Sequence, residues 1–405
     1  MAAQASDPAK QVRGARSIFY SVIVYLFAGP NQTMLWLALL QALAASFVTV
    51  ILIERLGVVE HGPFIAVALV AGLATTAPWY ASFTLPDVFA ATGIAGLALL
   101  LTSAGRLSGY LRVALLLLVA VSISFHASHL LVGIAMLLVA GIAAVPRWMG
   151  SGRQLGTIAL AGGALLASVM AVGVSGYVAF GEFSIAPKRY PLTLARVIEL
   201  GPGRWYLARS CPVRRYQICS VMPDPPQYAA DIVFGPKGLR DVATPAQLDR
   251  IRAEEVPIVL RTFAAFPREM IAATAGASMQ QLGRFGLRDL MIDQQVRAIR
   301  PGMIVLVRSD PAGLNVRERF QLITDAVTWL SIVFLPLAYW YFRSERRLLL
   351  LVTAALIANA IICASLSAVA DRYQGRVIWL LPVMLCALGA SRLYRSADDR
   401  TAPAG

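Results

Sequence analysis

Three groups of residues have types and spacings that chemistry can use. The first is Asp371-Arg372-Tyr373-Gln374-Gly375-Arg376, which packs two guanidiniums and a phenol between apolar stretches. A guanidinium presents a fixed fork of donors that matches phosphate oxygens. Arg372, Tyr373 and Arg376 therefore form a candidate site for phosphate or pyrophosphate; the other reading is an Arg–Asp pair that anchors helix ends. The second group is Thr84-Leu85-Pro86-Asp87. Asp87 either faces the positive end of a helix dipole as a structural cap or is a carboxylate lining an outward cavity. The third is His126 and His129, which share one helix face and either contact a polar headgroup or the soluble domain, or simply pack with hydrogen bonds. No acidic residue lies beside them in sequence, and no Cys/His cluster has zinc spacing, so no metal site is expected. Ionisable groups at membrane depth are costly and so are functional candidates. The motifs of soluble enzymes are absent: there is no P-loop, GxSxG, HExxH, DxD or GxGxxG.

Helices must position these groups. Of the 405 residues, 58% are apolar and 14% charged, and the mean hydropathy is +0.66. A soluble domain carries about 45–50% apolar and about 25% charged residues. The composition excludes a soluble single domain and disorder and predicts an all-α polytopic membrane protein. Apolar windows at 34–53, 63–82, 87–103, 111–126, 130–146, 156–180, 323–342, 348–368 and 377–391 predict nine spans. The shorter stretch 17–29 is a tenth span or an interfacial helix; without a small-residue cleavage pattern it is not a signal peptide. Residues 111–146 must turn, because one helix of that length would measure about 54 Å, and the polar residues 124–129 mark the turn.

The net charge of +14 follows from positive-inside loops and contact with anionic lipid. No basic run has interleaved aromatics, so nucleic acid is not an expected partner. Arg55, Arg106 and Arg112, Arg147 and Arg153, Arg343, Arg346 and Arg347, and Arg392 and Arg395 all fall on one side, predicted to be cytoplasmic. Asp87, His126, His129, the long segment 182–322 and residues 371–376 then lie outside, in a multi-pass protein of the plasma (inner) membrane. The chain divides into a polar basic lead (1–16), an N-terminal membrane domain (17–181), a mostly helical extracytoplasmic domain (182–322), a C-terminal membrane domain (323–391) and a tail (392–405).

In the extracytoplasmic domain, Thr244-Pro245-Ala246-Gln247 predicts a helix starting at Pro245, with Pro257 as its break. A second helix is expected at 267–282, short helices at 191–200 and 204–209, and a strand at 304–307. Cys211 and Cys219 sit close together in this polar region. In an oxidising compartment they form a disulfide; otherwise they are two buried thiols. Cys363 and Cys386 lie in apolar stretches as small core residues.

The order of these segments resembles the polytopic membrane glycosyltransferases of the C-type fold, the superfamily of protein O-mannosyltransferases and lipid A aminoarabinose transferases. The resemblance is carried by Arg16-Ser17-Ile18-Phe19-Tyr20-Ser21 ahead of a long span ending at Arg55, by Ala77-Pro78-Trp79-Tyr80, by Leu85-Pro86-Asp87, and by Arg372-Tyr373 followed by Leu381-Pro382. It covers most of the membrane part, and the extracytoplasmic domain has no counterpart in it. One departure is plain. The family has a first span and an outer loop with an acidic general base ahead of this region, whereas here sixteen residues precede the short helix and Asp7 is their sole acid. Either the chain starts late relative to a longer product, or it is a degenerate member without that base. The resemblance implies an inverting transfer of sugar from a polyprenyl-phosphate donor to a cell-envelope acceptor, with membrane lipids as partners. Arg372 and Arg376 would hold the leaving phosphate and Asp87 is the remaining acidic candidate. It implies no fixed cofactor beyond, at most, a divalent cation. The contrasting class is non-catalytic: a transporter or flippase, or a partner in cell-envelope assembly.

Overall fold

A computed structural model describes residues 17–27, 34–144, 152–290 and 311–401. Among them all regular structure is helical. The strand expected at 304–307 and the lead 1–16 lie outside the described residues. The helices are α1 (Ile18–Phe27), α2 (Leu35–Arg55), α3 (His61–Leu73), α4 (Ala77–Ser82), α5 (Val88–Ser103), α6 (Gly109–Phe125), α7 (Ala127–Ala144) and α8 (Gly152–Phe180). They continue with α9 (Leu192–Glu199), α10 (Pro202–Arg214), α11 (Gln217–Val221), α12 (Ala229–Phe234), α13 (Leu239–Val242), α14 (Pro245–Ala265) and α15 (Pro267–Leu282). The last four are α16 (Pro311–Tyr341), α17 (Arg346–Leu366), α18 (Asp371–Ile378) and α19 (Leu380–Thr401).

Among the described residues six segments are long and apolar enough to cross a membrane: Leu35–Arg55, Val88–Arg106, Leu155–Phe180, Arg319–Tyr341, Arg343–Leu366 and Asp371–Tyr394. Shorter apolar helices occupy Ile18–Phe27, His61–Leu73, Gly109–Phe125 and Ala127–Ala143. The protein is thus an all-α membrane protein. The window at 63–82 is not one helix. It breaks after Leu73, where the Thr75 hydroxyl turns back to the Ala71 carbonyl (2.6 Å) and accepts from the Ala77 amide (3.2 Å). Pro78 then opens α4 from its first turn, where the missing amide proton costs nothing.

The chain forms two compact units. The larger comprises Leu26–Ser168, Arg284–Ala358 and Ala370–Gly405. At its centre is α5, buried along almost its whole length and packed by α2, α6, α7 and α18. The helix is rich in alanine and glycine (Ala90, Ala91, Gly93, Ala95, Gly96, Ala98). Small residues let helices approach closely where lipid tails provide no hydrophobic drive for association; the Gly96 position lies against Val119 and Leu115 of α6. Outward-facing Leu39, Leu43 and Phe47 on α2, and Val333, Phe334 and Leu337 on α16, are exposed as lipid-facing positions should be.

This unit has two polar ends. At one, Arg55 donates to Ser103 (2.6 Å) and pairs with Glu345 (3.6 Å). Arg346 caps the last carbonyls of α16 at Tyr339 and Trp340, and Arg392 reaches the Tyr341 hydroxyl. The other end gathers the starts of α5 and α18, helix α4 and the turn between α6 and α7. There Gln41 of α2 donates to the Ala81 and Phe83 carbonyls (2.8 and 2.7 Å), which ties the α4–α5 loop down.

The smaller unit comprises Met1–Tyr25, Val169–Gly283 and Asn359–Val369, so α8 and α17 each contribute their final turns to it. Its core joins Leu194, Ile198, Leu207, Ile232, Leu248 and Ile251. Helix α14 starts with the expected capping box, Thr244 accepting from the Gln247 amide and Gln247 from the Thr244 amide. It does not break at Pro257 but runs through it to Ala265. The buried partners of α14, Ile251 and Ile258, lie on either side of the proline, while Pro257 itself is exposed. Packing on both sides offsets the lost backbone hydrogen bond. Glu255 of α14 is buried, takes Arg189 as counter-ion and accepts the Thr193 and Leu194 amides at the start of α9 (2.9 and 3.1 Å). A carboxylate there satisfies orphan donors and complements the helix dipole. Arg196, also buried, donates to the Ala364 carbonyl of α17 (2.6 Å) and pairs with Glu199 (2.7 Å). Gly203 allows α10 to touch α9: a side chain there would lie 2.6 Å from the Val197 carbonyl. Cys211 and Cys219 are joined in a disulfide, with Cα atoms 5.9 Å apart.

The two polar ends of the larger unit generate a topological expectation. Cysteines introduced at exposed Ser82 and Ser344, with Cys363 and Cys386 replaced by alanine, should react with an impermeant thiol reagent from opposite faces of sealed vesicles. Labelling of both from the same face would reject the arrangement.

Candidate functional site

Most of the residues singled out in sequence meet at the second polar end of the larger unit. Helix α18 brings Arg376 inward, and its guanidinium is 1% exposed. A charge so enclosed needs a partner, and it has one: Nη1 donates to Asp87 Oδ1 at 2.8 Å. Asp87 is the residue before α5, but its side chain makes no cap bond to that helix. The Arg–Asp partnership is therefore between α18 and the start of α5, and not between neighbours within 371–376. Asp371 instead lies 3.9 Å from Arg288.

The histidine turn completes the arrangement. Arg376 Nη2 donates to Ser128 Oγ (3.1 Å), which stands 2.8 Å from His126 Nδ1. The Ser128 amide also donates to that nitrogen (3.2 Å). His126 Nδ1 is thus an acceptor, which places the neutral ring's proton on Nε2. His129 has the opposite tautomer: its Nδ1 faces the Ser122 carbonyl at 2.7 Å, and a carbonyl can only accept. Its Nε2 is buried with no hydrogen-bond partner among the described residues. The two rings are 5.4 Å apart.

Tyr373 is the shared surface for both arginines. The Arg372 guanidinium carbon stands 4.9 Å from its ring centre and that of Arg376 stands 5.6 Å away. Arg372 also donates to the Tyr373 hydroxyl (3.2 Å). Beyond these contacts the Arg372 guanidinium has no ion pair among the described residues. Its backbone amide is held by Asp289 Oδ2 at 3.1 Å.

Tyr80, until this point only part of the resemblance, and three residues not singled out in sequence, Thr76, Gly286 and Asp289, hold this geometry. Tyr80 of α4 donates to the Gly286 carbonyl (2.8 Å), and Thr76 donates to that of Gly375 (2.5 Å). Gly286 and Asp289 belong to a short segment after α15 that lies against α18. Gly375 is glycine because nothing larger fits: a Cβ would stand 2.5 Å from the Tyr80 hydroxyl and 2.8 Å from the Gly286 carbonyl. Their sequence separations, from 83 residues for Asp289 to 299 for Thr76, carry no local signal. Cys211 and Cys219 belong to the smaller unit and are not part of this cluster. Among the described residues no group of His, Cys, Asp and Glu is arranged to hold a metal ion.

Chemically, the cluster is a pair of guanidiniums in different conditions. One is neutralised by a buried carboxylate. The other is oriented by an aromatic ring and a phenol, neither of which cancels its charge. Such a group is set up to accept an anion.

Comparison of the chain with protein-family models, with curated proteins and with solved structures finds no match, so roles must be tested on its own residues. Asp87→Ala should destabilise the protein by about 3–5 kcal/mol, because it leaves Arg376 buried without a counter-ion. The double variant Asp87→Ala/Arg376→Met should recover much of that loss, read as melting temperature in detergent. Equal melting of single and double variants would contradict the pairing. Gly375→Ala should cost about 1–3 kcal/mol through overpacking against Tyr80 and Gly286, with Tyr80→Phe restoring little because the Gly286 backbone still blocks the site.

Proposed function

We propose that this protein binds the phosphate of a polyprenyl-phosphate-linked sugar at Arg372 and passes the sugar to an extracytoplasmic cell-envelope acceptor, as a member of the C-type membrane glycosyltransferases. The observation that carries the reading is the Arg372 guanidinium, stacked on Tyr373 and without an ion-pair partner among the described residues. In the reaction the bond between the anomeric carbon and the phosphate oxygen breaks, and its electron pair stays with the phosphate. A bond from the acceptor oxygen to the anomeric carbon forms with inversion. The acceptor's proton passes to a carboxylate. Arg372 stabilises the charge that develops on the leaving phosphate.

The carboxylates divide between two roles. Asp87 is engaged by Arg376, which stabilises its charged form and makes it a weak proton acceptor. It acts as a positioning residue for Arg376. Asp289 is exposed, accepts the Arg372 backbone amide and is the carboxylate we assign as proton acceptor. On this reading the site lies on the outer face of the plasma (inner) membrane; taken by itself, the disulfide of the smaller unit fits an oxidising compartment.

A second reading has one specific observation in its favour. The carboxylate deepest in the cluster is committed to Arg376, so a lipid-phosphate carrier or assembly partner would need nothing further from this site.

Binding and turnover separate these readings. Arg372→Ala should weaken binding of a polyprenyl phosphate in detergent micelles about 10–150-fold, as expected for loss of one charge-assisted contact. Arg372→Lys should recover part of it, since the charge remains and the fork does not. Melting should barely change in either variant. Unaltered binding in Arg372→Ala would reject the phosphate site. Intact binding with no release of sugar from a polyprenyl-phosphate sugar would favour the second reading.

A further inference from the structure

The smaller unit carries an unexplained surface, independent of the site above. The disulfide between Cys211 and Cys219 closes a loop whose outward residues are Val213, Arg214 and Arg215, with Val213 82% exposed. Arg215 takes a left-handed backbone conformation (φ 48°) at the end of α10, which turns the chain sharply there. Beside this loop, Arg261 of α14 donates to the Tyr216 hydroxyl (2.9 Å), and Tyr216 meets Tyr206 at 3.0 Å. Arg214 and Arg261 both act electrostatically on Tyr206, so their charges converge on the same tyrosine pair. None of Arg214, Arg215 and Arg261 is in an ion pair among the described residues, and all three are exposed. On α14 itself, Leu260 and Phe263 are also exposed, at 64% and 47%.

Glu254 of α14 is also at this loop, but its carboxylate accepts the Gln217 amide (2.8 Å) and pairs with none of the three arginines among the described residues. Three cations outside any ion pair, mixed with exposed large apolar side chains, are what an anionic bilayer surface recognises. Apolar groups enter the headgroup boundary while guanidiniums meet phosphate. The same compact unit includes the final turns of α8 and α17, two membrane-spanning segments, so it is joined by its own chain to a bilayer. We infer that Arg214, Arg215 and Arg261, with Val213, Leu260 and Phe263, form a docking surface for anionic lipid headgroups of the membrane that the protein spans. This surface gives the arginine-rich disulfide loop a reason to be both rigid and exposed.

The test uses the full chain in nanodiscs, with Cys363 and Cys386 replaced by alanine and Leu260→Cys carrying an environment-sensitive fluorophore. Discs of phosphatidylcholine alone are compared with discs containing phosphatidylglycerol, each with and without a lipid-borne quencher. Quenching should be strong with the anionic lipid, weak without it, and reduced by high salt. Each of Arg214→Gln, Arg215→Gln and Arg261→Gln should lower the docked-to-undocked ratio about fivefold. Because Arg261 also holds Tyr216, the lipid comparison in the wild-type background serves as the second readout if Arg261→Gln loosens the fold. Equal quenching in both lipids, or a fluorophore shielded from a soluble quencher even in detergent, would overturn the inference; the latter would mean that protein covers the face. Salt-sensitive quenching that appears only when an acidic soluble polymer is added would equally overturn it.

Discussion

The ion pair between Arg376 and Asp87 is the constraint on which the candidate site rests. A guanidinium at 1% exposure and a carboxylate at 8% stand 2.8 Å apart. Each would be prohibitively costly to bury alone, and removal of either leaves the other stranded. The pair therefore fixes where α18 sits against the start of α5. Several dependent features follow. Ser128 and His126 are oriented from the second nitrogen of Arg376. Tyr373, on the same helix, has its ring centre 4.9 and 5.6 Å from the two guanidinium carbons. Gly375 must approach Tyr80 and Gly286 at distances that exclude any side chain. A buried pair of this kind adds little net stability compared with apolar packing, but it specifies one register of the helices around it.

The parts of the fold that were legible in sequence are those governed by local chemistry. The apolar runs mark helices because backbone polar groups in lipid must be satisfied within the segment. Thr244 and Gln247 announce the start of α14, and Pro267 announces that of α15, because capping is decided within a few residues. The readings that failed relied on local rules where tertiary packing decides. Pro257 was expected to end a helix that Ile251 and Ile258 carry through it. The window at 63–82 looked like one span by hydropathy, but Thr75 and Pro78 divide it into α3 and α4.

The site was half legible for the same reason. Asp87, His126, Arg372, Tyr373 and Arg376 stand out because polar residues within apolar sequence are unusual. Their pairing does not. Proximity in sequence suggested Asp371 for the arginines, yet Arg376 reaches a carboxylate 289 residues away. Asp289 sits in an ordinary polar stretch, where nothing distinguishes it from its neighbours until α18 is placed beside it. Composition and periodicity identify which residues are unusual, and only the packing of α4, α5 and α18 identifies which of them meet.

The contrast between Arg372 and Arg376 then explains how one short helix can be both scaffold and binding element. The two residues are four apart and so lie on neighbouring parts of one helix face. Arg376 points to the core, where Asp87 cancels its charge. Arg372 is half-buried and in no ion pair among the described residues; the Tyr373 ring and hydroxyl set its orientation, while Asp87 and Asp289 act on it only electrostatically. Orientation without neutralisation is the useful combination for an anion site. Part of the guanidinium's hydration is already removed and its rotamer already chosen, so an incoming phosphate has less ordering and desolvation to overcome. A flexible lysine at the same position would keep the charge but not the plane that stacks on Tyr373. A carboxylate placed against Arg372 would hold the plane but extinguish the charge. In the arrangement found, Asp289 is bonded to the backbone of Arg372 and Tyr373 to its side chain, and Asp289 and Asp87 act on the guanidinium without forming an ion pair with it among the described residues.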